Sequence, residues 1–564
     1  MSTDGSGEQP LTRAQLRALR AEQTSPEAPE APQDAPDPVE ESSPTFPQIP
    51  EPHQEAPEAV EGPPPTFPQI PEAPRVATEP AEEPALTFPE VPEPVEGPAA
   101  PPAPPASTRR FRLALFASLG VLALIVATLG AVSLVQGPRL SSVDVNEAQA
   151  IDTSGSRVIL TANQSLAAID PEQVTVEPAV PFTVDAAGRN VGIRFTVPLD
   201  DSTTYTVKVA GVSSSGGGPS ADLSTTFHTP ASTIFLLQRG SGDEDDKIFS
   251  TDLTGESGVP VFTHPRISDF RATPELLVVA VEDAGGEGSR LLVMRRDGSG
   301  QRELELPGDG YISSVQVSDR GGLVGYSYSD RELTDTTGRA SVLVTQPLSG
   351  NGEPRIVQVA GEDASVADWQ FVPDSSSLLF IDFDGALAVE DPTGDAGVQS
   401  MGLAASILGI NRGTYTAIVE LNDASYVQLD LTTGETTPLE ASDPDYGPAT
   451  TIVPLPDGTL RHVVQRTESG MPTGQAVIRV DDDGKATPIA EVSGTDAILQ
   501  VCASPSGQYA AITIAPDLPS NDYDDLLLPL PTTLHTQLID LSDGSTMVTL
   551  EGFDVSWCSL APSP

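Results

Sequence analysis

Val366-Ala367-Asp368-Trp369-Gln370-Phe371-Val372-Pro373-Asp374 is an apolar strand ending in a Pro-Asp turn, and the second half of this 564-residue chain repeats it. Ile312-Ser313-Ser314-Val315-Gln316-Val317-Ser318-Asp319 and Ile498-Leu499-Gln500-Val501-Cys502-Ala503-Ser504-Pro505 are clear copies, and fainter ones begin near Ile267, Ala405 and Ala449. A second element accompanies it, a hairpin with a glycine turn: Met294 to Gly300, Leu429 to Glu435, Ile539 to Gly544. Short runs of β-branched and aromatic residues bounded by Gly, Pro and Asp read as strands. Turns of this kind join neighbouring strands.

The copies recur every 40–55 residues, a spacing that fits one four-stranded blade of a radial array. Residues 231–564 therefore read as a β-propeller. Residues 233–263 supply three strands of a first blade. The chain ends in Phe553-Asp554-Val555-Ser556-Trp557-Cys558, another copy of the innermost strand, which would complete that blade. Six further starts give seven blades, six and eight being the neighbouring counts. Cys502 follows the apolar anchor Val501, and Cys558 follows Trp557. If the ring closes, those strands are adjacent, and a Cys502–Cys558 disulfide is expected in an oxidising compartment.

Residues 138–230 read as a separate all-β unit. Ser156 to Thr161, Gln173 to Glu177, Val191 to Val197 and Thr204 to Val209 alternate apolar and polar residues, as in a small sandwich. Ile169-Asp170-Pro171-Glu172-Gln173-Val174-Thr175-Val176-Glu177-Pro178, with Thr204-Tyr205-Thr206-Val207 and Thr226-Phe227-His228-Thr229, resembles bacterial Ig-like domains of surface-layer type. That resemblance implies a spacer or adhesion module without catalytic residues. The repeats that follow resemble Tol-type and WD-repeat-like propellers by strand pattern. A tethered exterior propeller also resembles the propeller lipoproteins of actinobacteria that partner sensor kinases, although this chain lacks their lipid-modified cysteine.

Leu113 to Val135 is apolar and uncharged over 23 residues, and a helix needs about 20 to cross a bilayer. Arg109, Arg110 and Arg112 precede it, and Arg139 alone follows closely. Positive charge stays in the cytoplasm, which predicts a single-pass cell-membrane protein, N-terminus inside and C-terminal domains outside. The segment is too long and too far into the chain for a signal peptide.

The net charge is −52. It divides into −16 for residues 1–108, +3 for the three arginines before the span and −39 for residues 139–564. Two acidic soluble parts exclude nucleic acid as a partner. Residues 21–108 are dominated by Pro, Glu and Ala and lack the apolar content to fold, so a disordered cytoplasmic tail is predicted. Within it Thr45-Phe46-Pro47-Gln48-Ile49-Pro50-Glu51 recurs at Thr66–Glu72 and, as Thr87-Phe88-Pro89-Glu90-Val91-Pro92-Glu93, a third time, with a 21-residue period. Phe46, Phe67 and Phe88 are the anchors of a short motif that three copies would present with avidity to a cytosolic partner. A duplicated spacer is the equal alternative. Leu11 to Arg20 reads as a short helix with Arg13, Arg17 and Arg20 on one side, and its opening resembles that of many membrane proteins of high-GC Gram-positive bacteria.

Catalytic chemistry is sparse. No Gly-x-Ser-x-Gly elbow is present. His53, His228, His264, His462 and His535 are scattered without metal-ligand spacing. The acidic runs Asp243 to Asp246, Asp481 to Gly484 and Asp522 to Asp525 depart from the Ca²⁺-loop frame and read as solvated turns. Pro516 to Pro531 reads as an insertion in the seventh blade. Its Leu526, Leu527, Leu528 and Leu530 mark either a docking patch or packing against the blade's own edge, and Ser327 to Arg339 is a second loop of interest.

Together these readings predict an all-β extracellular part, Ig-like sandwich plus seven-bladed propeller, with one transmembrane α-helix (109–137) and a disordered tail (1–108). The function expected is a membrane-anchored envelope scaffold that binds an envelope protein or glycan, with no cofactor and no catalysis. The alternative is a propeller enzyme acting on envelope glycan or peptide in its central channel, with Asp269 and Asp368 as its carboxylates.

Overall fold

The computed structural model describes residues 112–113, 115–124 and 137–563, apart from 243, 319, 335, 351, 395 and 468. Phe46, Phe67 and Phe88 lie outside the described residues, as does the rest of the tail. Of the apolar stretch from Leu113 to Val135, residues 115–124 are helical and the remainder is mostly outside. Among the described residues no helix is long and apolar enough to cross a membrane.

From Leu140 onward the described residues form a series of antiparallel β-sheets. The first seven strands form two sheets. One holds Leu140–Val145, Arg157–Ala162, Asn190–Phe195 and Phe182–Ala187, in that order. The other holds Val174–Glu177, Thr204–Val212 and Ala221–His228. Strict alternation in the central strands sends Val158, Leu160, Val191 and Ile193 from one sheet, and Val174, Val176, Val207 and Val209 from the other, into one shared apolar cluster. Residues of period two bury one face only, which suits a two-layer unit. A six-residue helix, Glu147–Asp152, bridges the first two strands and is capped by Asn146, whose Oδ1 accepts from Gln149 N at 3.2 Å.

Seven more sheets of three or four strands follow in chain order, with a two-stranded hairpin, Gln358–Val359 and Glu362–Asp363, between the third and the fourth. The first has three strands, Thr233–Gln238, Asp246–Asp252 and Val259–His264. The others have four each and begin with Ile267–Ala272, Gly310–Ser318, Val366–Phe371, Ser406–Ile410, Ala449–Leu455 and Ala497–Ala503. Here the strands are continuous apolar runs. Leu276–Glu282 and Tyr509–Ala515 bury nearly every residue, because both faces of each sheet are covered. The packing shows by what. Sheets two and three share one cluster, and three and four, four and five, five and six, and six and seven each share another. Sheet one packs on sheet two through Phe235, Leu237, Ile267 and Leu277, and on sheet seven through Ile234, Leu236, Ala511 and Leu538. The succession thus returns to its start.

The C-terminal segment joins the two ends. Phe553 and Leu237 exchange both backbone hydrogen bonds at 2.9 Å, and Ser556 N donates to Phe235 O at 3.0 Å. A full innermost strand was expected here, but Phe553 forms only an isolated bridge. Asp554, at φ +56°, turns the chain out of extended geometry, a conformation Asp tolerates better than most residues. Cys558 is thereby brought onto Cys502, and the two form a disulfide.

The hairpin turns account for part of the acidity. Asp430 Oδ1 accepts from Thr432 N at 2.7 Å and Thr433 N at 3.1 Å, while Gly434 takes φ +75°. Asp252, Asp297, Asp423 and Asp543 hold their turns in the same way. Hydrogen bonds to the turn hydroxyls and amides keep these carboxyls below their ordinary range. Such bonds favour the ionised form, so a turn-rich sheet protein accumulates aspartate.

Candidate functional site

The small two-sheet unit sits against turns that link first to second strands in sheets three, four, five and seven. Asp201, buried in this junction, is its polar anchor. Tyr509 Oη donates to Asp201 Oδ1 at 3.0 Å, Ser232 N donates to Oδ2 at 2.8 Å, and Asp201 N donates to Gln508 Oε1 at 3.0 Å. Burial and the neighbouring Asp201 carboxylate push the Tyr509 phenol upward, so it stays protonated and donating.

Beside this junction lies a cleft of about 200 Å³ lined by Ser154, Thr183, Arg194, Arg320, Asp374 and Tyr415, among others. A second hollow continues from it past Ser375, Ser376 and Thr393. Arg194 comes from the strand Asn190–Phe195 of the small unit, and Arg320 from a turn in sheet three. Gly155, at φ +77°, lies between them. A Cβ there would meet Arg194 Nη2 at 3.0 Å and Arg320 Nη1 at 3.1 Å. Both guanidinium groups thus reach one point and are at most about 6 Å apart, a separation at which like charges repel. Arg157 lies directly across from Arg194 in strand register, on the same outward face. The nearby carboxylates have partners of their own. Asp374 pairs with Arg412 at 3.1 Å. Burial raises Asp152, while Arg296 and Arg412 pull it back. Asp391 accepts from Ser376 Oγ and from Thr393.

The residues singled out by sequence fall elsewhere. Asp269 and Asp368 lie on first strands, whose outer edges lack a strand partner, and both spend their carboxylates on the next sheet's backbone. Asp269 Oδ2 accepts from Val315 N at 3.1 Å, and Asp368 Oδ2 from Ile407 N at 3.0 Å. Gln316 and Gln370 make matching bonds to Trp369 O and Ile407 O. Asp269 also joins a buried triad. Arg271 Nη1 lies 2.9 Å from Asp269 Oδ1 and 2.8 Å from Asp554 Oδ2, and Gln500 Nε2 donates to Asp554 Oδ1 at 2.8 Å. One guanidinium neutralises one carboxylate. Burial therefore pushes the second acid, Asp269, up to about 7, with Asp554 repulsion adding to the shift and Arg271 opposing it.

The loop Pro516 to Pro531 corrects part of its expectation. It packs on its own sheet, seven, and also reaches across sheets one and two. Arg239, 4% exposed, holds Asp524 through Nε and Asp246 through Nη1, both at 2.9 Å. Arg266 holds Glu282 and Asp525, both at 2.7 Å, and Leu527 N donates to Glu282 Oε1 at 2.7 Å. Leu526 is buried, and Leu530 is buried in the cluster shared by sheets one, two and seven, so neither is on a docking surface. Leu527 and Leu528 are 42% and 62% exposed. Asp246 and Asp524, read from sequence as solvated, are the two anions of Arg239. Of the second loop, Arg339 is clamped by Asp330, whose carboxyl it lowers to about 2. The arginine cleft was not legible in sequence: Arg194 and Arg320 have no local pattern and meet only through tertiary packing.

No family model matches the chain, and no curated protein matches it. Among solved structures, an uncharacterized protein of Listeria monocytogenes EGD-e is similar over 56% of this chain and 90% of its own, with 11% identity and a TM-score of 0.37. The nidogen/laminin complex is similar over 38% of this chain and 82% of that one, with 14% identity and a TM-score of 0.25.

Proposed function

We propose that the protein is a membrane-anchored envelope scaffold. In this reading residues 231–564 are a seven-bladed β-propeller carried on an Ig-like unit outside the cell, and they bind an envelope protein or glycan without catalysis. The observation that carries the binding reading is the use made of the buried carboxylates. Asp269 and Asp368, the channel candidates, are tied to backbone amides of neighbouring sheets, so their chemistry serves cohesion. Membrane attachment is supported by the described part of the apolar stretch: Leu113, Phe116, Leu119 and Leu122 are each more than half exposed, as lipid-facing side chains are. In this reading the tail repeats around Phe46, Phe67 and Phe88 engage a cytosolic partner.

One observation favours the enzyme alternative: a buried carboxyl held near neutrality, Asp269, is a recurrent feature of catalytic sites. Two experiments test the readings. Protease added to intact, wall-stripped cells is expected to degrade residues 140–564 and spare a tag at residue 1; loss of the tag first reverses the topology. Turnover of an envelope glycan or peptide by the purified chain, abolished in Asp269→Asn with Asp368→Asn, replaces scaffold with enzyme.

A further inference from the structure

We infer that the cleft between the small unit and the turns of sheets three to five binds an anionic group, phosphate or carboxylate. The inference rests on the binding reading and names the ligand class.

The first observation is charge without a partner. Nine other arginines of the described residues each lie within 4.0 Å of a carboxylate. Among the described residues Arg194 and Arg320 make no such pair, in a region whose net charge is −39. Other arginines, Arg295, Arg302 and Arg466 among them, also lack a carboxylate partner among the described residues, but Arg194 and Arg320 bring two such guanidinium groups to one point beside Gly155.

The second observation is that the convergence is built by the fold. Arg194 is fixed by strand pairing to Arg157 on one side and to Thr183 on the other. Arg320 enters from the turn of sheet three, and Gly155, at φ +77°, lies where a Cβ would press on both guanidinium tips. Like charges directly opposed across strands weaken a sheet, so this arrangement costs stability in the empty state. A ligand carrying two or three oxygens removes that cost by accepting from both forks. Paired guanidinium groups suit planar carboxylate and tetrahedral phosphate alike.

The third is the remaining lining. Ser154, Thr183 and Tyr415 add hydroxyl groups around the cleft. Asp374 also lines the cleft and pairs with Arg412 through Oδ1, so three guanidinium groups, Arg194, Arg320 and Arg412, stand against one carboxylate there and the local field is cationic. The overall acidity of the chain repels anions at long range, but at 0.15 M salt that field is screened beyond about 8 Å. A short-range site therefore operates within an otherwise anion-repelling surface.

The test uses the full chain in non-ionic detergent at 0.15 M salt, titrated calorimetrically with inorganic phosphate, with poly(glycerol phosphate) and with polygalacturonate. Saturable binding of at least one is expected. Arg194→Gln with Arg320→Gln should weaken it at least about tenfold, and Arg320→Gln alone, on an exposed turn where folding is not at stake, by a smaller factor. Arg295→Gln, an exposed arginine elsewhere, should leave it unchanged. Tighter binding of a polymer than of free phosphate assigns the anion to a surface polymer; the reverse order assigns it to a small solute. No saturable binding of any probe, or equal binding by the Arg194→Gln/Arg320→Gln protein, overturns the inference. Because the measurement is on purified protein, its failure is distinct from a failure of the topology, which is read in cells.

Discussion

The small two-sheet unit and the seven-sheet array solve the same problem, burying strands, in opposite ways. The small unit closes over one apolar cluster, and its one described ion pair, Lys208–Asp222, is half exposed on the surface. The array divides its apolar residues among clusters between neighbouring sheets. It adds buried charge: Asp269 and Arg271 on a first strand, Asp246 and Glu282 on second strands, and Arg239 and Asp554 beside them. The difference follows from edges. Two facing sheets bury side chains and leave strand edges at the rim, in water. A succession of sheets packed face to face also buries the outer edge of each first strand, and its amides and carbonyls need partners. Asp and Gln from neighbouring first strands supply them. Polar residues in the array are therefore structural, and their removal should cost more than equivalent changes in the small unit.

The largest expected effect tests that claim directly. Arg271→Ala leaves Asp269 and Asp554 facing each other without a counter-charge. Breaking a buried pair in this way typically costs about 3–5 kcal/mol, measured by denaturant unfolding. The cost should shrink in acid, as both carboxyls take up protons. In the unaltered chain Asp269 keeps its proton up to about 7, whereas the unfolded chain releases it near 4. The folded state then holds the extra proton, so this group's contribution to stability falls as pH rises from about 4 to 7. Asp269→Asn should flatten that part of the profile. A profile of unchanged slope contradicts the assignment.

The disulfide comes next. It joins Cys502 on the first strand of sheet seven to Cys558 beside sheet one, 56 residues apart in sequence. Cys502→Ser with Cys558→Ser is expected to cost about 2–4 kcal/mol and to speed opening of the 553–558 segment, read by hydrogen exchange. Exchange unchanged at Phe553 and Leu237 would show that the Arg271 triad closes the array unaided.

Tyr509→Phe probes the seam between the two regions. It removes one hydrogen bond to the Asp201 carboxylate, worth about 1.5–3 kcal/mol where the acceptor is charged. The loss should appear as faster exchange at residues 199–205 and not within the Val158–Ile193 core. Equal acceleration in both would mean the small unit and the array unfold as one.

How much of this was legible depends on where the information lies. Val366–Phe371 declares itself, because β-branched and aromatic residues before a Pro-Asp turn encode a strand locally. The cysteine pair was legible because each cysteine follows the same anchor in two copies of one element. Leu140–Val145 and Phe182–Ala187 were missed. They are edge strands of largely exposed residues, Leu-Ser-Ser-Val-Asp-Val and Phe-Thr-Val-Asp-Ala-Ala, with weak alternation. The Glu147–Asp152 helix is too short to show a period. Arg194 and Arg320 were out of reach, since 126 positions separate them and only packing brings them together.

The smallest expected effect lies in the loop where sequence and structure diverge most. Four leucines within five residues announce apolar character but not its direction. Leu526 and Leu530 are 7% exposed, and Leu530 packs in the cluster of Phe235, Ile267 and Val279. Leu528, between them, faces solvent. Leu528→Ser should therefore change stability by no more than about 0.5 kcal/mol, as surface substitutions do. Leu530→Ala, two residues on, should cost about 2–5 kcal/mol. Thermal unfolding of the two variants side by side reads the contrast. Equal losses would mean that Leu528 also packs inward, and that the loop, for all its ion pairs to Arg239 and Arg266, offers the surface only the half-exposed Leu527.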